Sequence, residues 1–155
     1  MKRLIYIIII ISLGFLLQTS FSDIFLLFGV RPDFLLIIVV LLSPSFSLTS
    51  SGLLGLVCGL LQDAVGIFRL GTNGLTKSII AVSVNLVAHK IYPNRIEIQF
   101  AILFLATLIN GIILFLIAIV FQQTYLAVFS LVIEGLYNGI LGALIWRLLR
   151  AFNLL

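Results

Sequence analysis

Residues 52–77, GLLGLVCGLLQDAVGIFRLGTNGLTK, constrain this chain more than any other stretch. Asp63, Arg69 and Lys77 lie inside or beside segments that otherwise suit lipid. A charge at bilayer depth costs on the order of 2.5–3.5 kcal/mol on insertion scales, so such residues face other helices. The run therefore predicts a packed bundle rather than a simple anchor.

The rest of the sequence supports that reading. Of 155 residues, 63% are hydrophobic and only 9% charged, against roughly 25% charged in a soluble domain. A water-facing surface cannot be built from that supply, so the bilayer must be the solvent. Only helices or a closed barrel can span it, and the apolar runs are continuous rather than alternating, which selects helices. The expected fold is all-α: a polytopic six-transmembrane-helix bundle forming one integral membrane domain over residues 1–155.

Six spans are expected, at about 4–22, 32–48, 51–68, 75–89, 97–121 and 125–147. The first resembles a signal peptide, with Lys2 and Arg3 ahead of an apolar run. That run is long for a cleaved segment, so we read it as a retained helix. The second begins at Val30-Arg31-Pro32-Asp33. Proline suits a first helical turn, and Asp33 suits a helix N-terminus. Pro44 should bend or end that run, with Ser43, Ser45 and Ser47 re-satisfying the backbone. Short loops leave no room for a soluble domain.

The net charge of +4 does not indicate nucleic acid, because the basic residues sit at helix ends and read as topology signals. Lys2, Arg3, Lys90, Arg95, Arg147 and Arg150 fall on one side of a six-span chain. Arg31 and Arg69 fall on the other, where Asp33, Asp23 or Asp63 would pair them. Both termini are therefore expected in the cytoplasm. Trp146 and Tyr92 read as interfacial anchors.

Two glycine stripes carry the expected packing. At about 100° per residue, Gly52, Gly55, Gly59, Asp63 and Gly66 share one arc of span three. Gly135, Gly139 and Gly142 line span six, with Asn138 beside them and Glu134 at the edge. Small residues let helix backbones approach closely, which drives association in lipid. The faces serve internal packing or a partner. Span four carries Asn73, Lys77, Asn85 and His89 at four-residue steps through Ala81. We expect that face to meet Asp63, with an Asp63–Lys77 ion pair, direct or water-bridged. His89 reads as a capping or interfacial residue.

Little points to catalysis. There is one histidine, no nucleophile elbow, no phosphate loop and no carboxylate cluster at metal spacing. Glu134 is an intramembrane carboxylate without a second relay residue in its span. The single cysteine, Cys58, lies mid-span and reads as a small packing residue. No enzyme, cofactor or metal site is expected.

These same residues resemble the MreD family of bacterial rod shape-determining membrane proteins. The resemblance rests on the Val30-Arg31-Pro32-Asp33-Phe34-Leu35-Leu36 helix start and the glycine-rich GLVCGLLQDAVGIFRLG run. It rests also on the segment 72–88 and on Tyr137-Asn138-Gly139-Ile140-Leu141 leading to Arg147 and Arg150. Gln62 departs from the pattern, since an apolar residue is common before that Asp, and Pro44 lies where basic residues often sit. The resemblance implies a non-enzymatic scaffold of the cell-elongation complex in the bacterial inner membrane. It implies MreC as direct partner, with the MreB filament, RodA and a class B penicillin-binding protein in the same complex, helping organise peptidoglycan synthesis. The family's fold is also similar to the substrate-binding subunits of energy-coupling-factor vitamin transporters. A solute- or vitamin-binding transporter subunit is therefore the alternative.

Overall fold

The computed structural model describes residues 2–20, 26, 29–66, 70–88, 95–121 and 128–151. Among them the chain forms six α-helices: α1 (Lys2–Ser20), α2 (Phe34–Leu42), α3 (Leu48–Val65), α4 (Thr72–Ala88), α5 (Ile96–Val120) and α6 (Val128–Ala151). A single 3-10 turn, Ser43–Ser45, follows α2.

The sequence of α2, FLLIIVVLL, is apolar on every side. A helix of that kind must be buried, and every residue of α2 except the half-buried Ile38 is, with Leu35, Leu36, Ile37 and Val39 fully enclosed. It touches each of the other five helices. Leu36, Ile37, Val40 and Leu41 on one side pack with Ile80 and Val84 of α4 and Leu103 and Ala106 of α5. Leu35, Val39 and Leu42 on the other pack with Leu54 and Cys58 of α3 and Ala81 of α4. The fold is thus a short central helix inside a ring built from α1 and two close pairs, α3–α4 and α5–α6.

The expected second span, 32–48, is not one continuous helix. Asp33 caps α2, so the helix starts at Phe34. Pro44 lacks an N–H for the ladder, and the chain tightens into the 3-10 turn before Ser47 caps α3. At 1.5 Å per residue, nine residues make a helix of only about 14 Å.

Outside, the pattern is inverted. Ile5, Ile9, Leu13 and Leu16 of α1 and Leu105, Ile112, Leu116 and Ile119 of α5 are each about half exposed. Contiguous apolar surface on this scale marks contact with lipid or protein rather than water. By length and composition, three helices among the described residues can cross a membrane: Leu48–Val65, Ile96–Val120 and Ser130–Arg150. Ile5–Ser20 and Phe34–Ser45 are shorter apolar helices.

Candidate functional site

An apolar helix ending inside a protein leaves backbone N–H and C=O groups without intrahelical partners. At both ends of α2 the surrounding helices supply them, and the functional geometry follows from how they do so.

At the N-terminal end, Asp33 is the hub. Its Oδ1 accepts from Leu36 N–H at 2.9 Å, closing the first turn. Its Oδ2 lies 2.6 Å from Lys77 Nζ of α4 and accepts from Gln62 Nε2 of α3 at 3.4 Å. The Asp33 N–H donates to Asn138 Oδ1 of α6 at 2.9 Å, and the Phe34 N–H to Gln18 Oε1 of α1 at 2.8 Å. Asn138 Nδ2 in turn donates to Thr107 Oγ1 of α5 at 3.2 Å. Side chains from all five surrounding helices therefore converge on one turn. The Asp33 side chain is 6% exposed and that of Lys77 is wholly buried.

At the C-terminal end, Asn85 of α4 takes the matching role. Its Nδ2 donates to the carbonyls of Ser43 at 2.7 Å and Phe46 at 2.9 Å. Ser51 Oγ donates to Ser43 O at 2.9 Å, and Ser43 Oγ folds back onto Val39 O. Every one of these contacts replaces water that an enclosed helix end cannot reach.

Asp63 serves α4 instead. It is buried near the end of α3 and accepts from the backbone N–H groups of Gly71 (2.8 Å), Asn73 (3.1 Å) and Gly74 (3.1 Å) and from Asn73 Nδ2 (2.9 Å). This is a carboxylate on the positive end of a helix, delivered from the preceding helix. Gly71, at φ +100°, makes the turn that permits it. The expected Asp63–Lys77 ion pair is therefore corrected: Lys77 reaches Asp33, and Asp63 holds the start of α4. Both charges find partners, but across different distances in sequence than a hairpin alone suggests.

Residues 1–153, all but the last two of the chain, match the family model for the rod shape-determining protein MreD. This chain belongs to the MreD family. Comparison with curated proteins and with solved structures gives no match. Membership, together with the apolar helices, makes it a rod shape-determining membrane protein.

In this MreD-family chain the glycine stripes lie between helices. A Cβ on Gly59 would strike the backbone of Asn73 and Gly74, and one on Gly55 would come within 2.7 Å of Ser78 Cα. Gly52 is looser, 3.3 Å from a Val82 methyl. On α6, Gly139 and Gly135 receive Phe100 and Phe104, whose rings stack at 6.1 Å, and Gly142 receives Leu103. Gly66 differs from the expected arc: α3 ends at Val65, and Gly66 follows in extended backbone at its C-cap, exposed.

Glu134 lies one turn before Asn138 on α6 and lines a cavity of ≈ 410 Å³ beside the hub, together with Gln62, Asn73 and Asn110. Trp146 is half-buried against the core, with the Arg150 guanidinium 5.1 Å from its ring centroid. The expected roles of Asp23, Arg69, His89, Lys90 and Tyr92 lie outside the described residues, as does the expected start of the sixth span at about 125.

Sequence reasoning passed over Gln18, Thr107 and Asn110. Each is a polar residue within an apolar run, which is itself the signal that it faces protein. It also treated Gln62 only as a departure from a family pattern, although Gln62 contacts the hub.

Proposed function

We propose that this chain is a non-enzymatic scaffold of the bacterial cell-elongation complex, binding MreC within the inner membrane and helping to organise peptidoglycan synthesis. The family match carries the reading. The architecture supports it: the buried polar groups are engaged mainly in fixing helix positions, and the outward faces are apolar. A rigid body with lipid-compatible sides is what a membrane scaffold requires. MreB, RodA and a class B penicillin-binding protein would associate through the same complex.

All six helices lie at bilayer depth in this reading, with both termini cytoplasmic. The basic residues Lys2, Arg3, Lys90, Arg95, Arg147 and Arg150 on one side against Arg31 and Arg69 on the other support that orientation. The enclosed α2 fits as well, since short or irregular backbone is tolerated at membrane depth when buried in protein.

The glycine faces at Gly55, Gly59, Gly135 and Gly139 are occupied by α4 and α5, so MreC would dock on an outward face. Site-specific photo-crosslinking in cells tests this. Probes at Leu13, Ser83, Ile109, Leu116 and Leu144 should yield an MreC adduct from one contiguous face and lipid adducts from the rest. Lipid adducts at every position, in cells that make MreC, would refute direct binding. The transporter alternative has one observation in its favour, the polar cavity.

A further inference from the structure

The ring around α2 is sealed unevenly. Glycines let α3 close on α4 and α6 close on α5. Among the described residues no glycine serves the junction between α4 and α5, where aliphatic side chains hold the two backbones apart. A cleft of ≈ 170 Å³ remains there on the outward surface. Its floor is Ile80, Val84 and Ala106, all buried and packed from behind against Leu36, Ile37 and Val40 of α2. Its rims are Val87, Leu105 and Ile109, each about half exposed.

Chemistry narrows what such a cleft can hold. Its one hydroxyl, Ser83 Oγ, donates to the Ile79 carbonyl at 2.9 Å, so no side-chain donor is left in it. An apolar space of this kind stays dry and takes hydrocarbon. Size narrows the choice further. The lining runs over residues 80–87 of α4 and 102–109 of α5, two turns or about 10 Å along each helix. A helix about 10–12 Å across would fill several times this volume, whereas a single hydrocarbon chain fits.

Charge supplies the other end. Arg95 is the N-cap of α5, seven residues before Ile102 of the cleft. At about 100° per residue, seven residues return to the same line, so Arg95 stands about 10 Å beyond Ile102 on the cleft's own axis. It is exposed, and no described residue gives it an ion pair or hydrogen bond. Glu97, two residues on, falls about 200° round the helix, away from that line. An arginine at the end of a span sits at the water boundary, where it meets lipid phosphate. We propose that the α4–α5 cleft holds one acyl chain of an anionic phospholipid whose phosphate sits at Arg95. The inference rests on α5 crossing the bilayer, which its length and composition allow, and not on MreC binding.

The test uses the full chain in nanodiscs of equal phosphatidylglycerol and phosphatidylcholine with the same acyl chains. Native mass spectrometry reads the lipid that stays bound as the disc is stripped away. The wild type should retain phosphatidylglycerol in preference. Arg95→Gln should keep a bound lipid but lower that preference about fivefold, the effect of one basic side chain at a membrane surface. Ser83→Phe, which fills the cleft from its exposed side, should lose the retained lipid altogether. Arg147→Gln removes an exposed basic residue of α6 and should change neither. In cells, photo-crosslinking probes at Ser83 and Ile109 should both give lipid adducts. Equal retention of the two lipids by the wild type overturns the proposal. So does a preference that survives Arg95→Gln, or retention that survives Ser83→Phe. A protein adduct from Ser83 and Ile109 would make the cleft a partner's seat instead. The nanodiscs contain no MreC, so failure there leaves the scaffold reading standing, and failure of MreC binding leaves the cleft standing.

Discussion

Lys77 and Asn85 stand eight residues apart on one helix and grip opposite ends of another. Lys77 reaches the first turn of α2 through Asp33, and Asn85 holds the carbonyls that follow its last turn. Eight residues rise about 12 Å along α4, close to the roughly 14 Å length of a nine-residue helix. The spacing of two polar residues on α4 thus matches the length of the helix enclosed beside it.

The ion pair should behave as a unit. Removing one partner of a buried pair leaves an uncompensated charge and costs about 3–5 kcal/mol. Lys77→Met and Asp33→Asn are each expected to destabilise strongly, and the double variant to be more stable than their summed effects. Thermal unfolding in detergent, arranged as a double-mutant cycle, reads this directly. Simple additivity would mean that the two side chains are not energetically coupled.

The other clamp should be weaker and separable. Asn85→Leu strips donors from two enclosed carbonyls, at a cost of about 1–3 kcal/mol. Hydrogen exchange should report the loss locally, with faster exchange in the last turn of α2 than in its first. Uniform acceleration along α2 would contradict a local capping role.

Asp63 should follow the logic of a helix cap. Asp63→Ala leaves the amides of Gly71, Asn73 and Gly74 without their acceptor, and loss of a cap costs about 0.5–2 kcal/mol. Asp63→Asn keeps an acceptor but loses the charge, so it should fall between wild type and Asp63→Ala in melting temperature. If the two variants melt together, the carboxylate does not act as a cap.

The glycines should rank by what their missing side chain would meet. Gly59→Ala and Gly55→Ala drive a methyl into α4 backbone, which cannot move aside. Gly139→Ala meets only the Phe100 ring, at 2.8 Å, and Gly52→Ala a Val82 methyl at 3.3 Å. Overpacking costs about 1–3 kcal/mol, so we expect the Gly59 and Gly55 variants to lose most stability and the Gly52 variant least. Yield of monodisperse protein and its melting temperature provide the ranking.

The helices were largely legible because their causes are local. The run FLLIIVVLL, the serines around Pro44 and the four-residue glycine steps each specify structure over a turn or two. The hub was not, because its causes are distant. Asp63 and Lys77 are fourteen residues apart and invite a hairpin pair, yet Lys77 takes a partner 44 residues away. Asp63 was already committed to the amides at the start of α4, a backbone demand that side-chain spacing does not display. Gln18 and Thr107 were visible as polar residues in apolar runs, but nothing in their neighbourhoods indicated that both serve one turn.

The bond from Asp33 to Asn138 joins residues 105 apart, and that separation has a consequence for biogenesis. A ribosome adding about 5–20 residues per second needs roughly 5–20 s to travel from one to the other. Throughout that interval the nascent centre lacks its final acceptor. Completion awaits the last helix, so a protein truncated ahead of α6 should be recognised as unfinished and degraded rather than persist as a smaller working bundle.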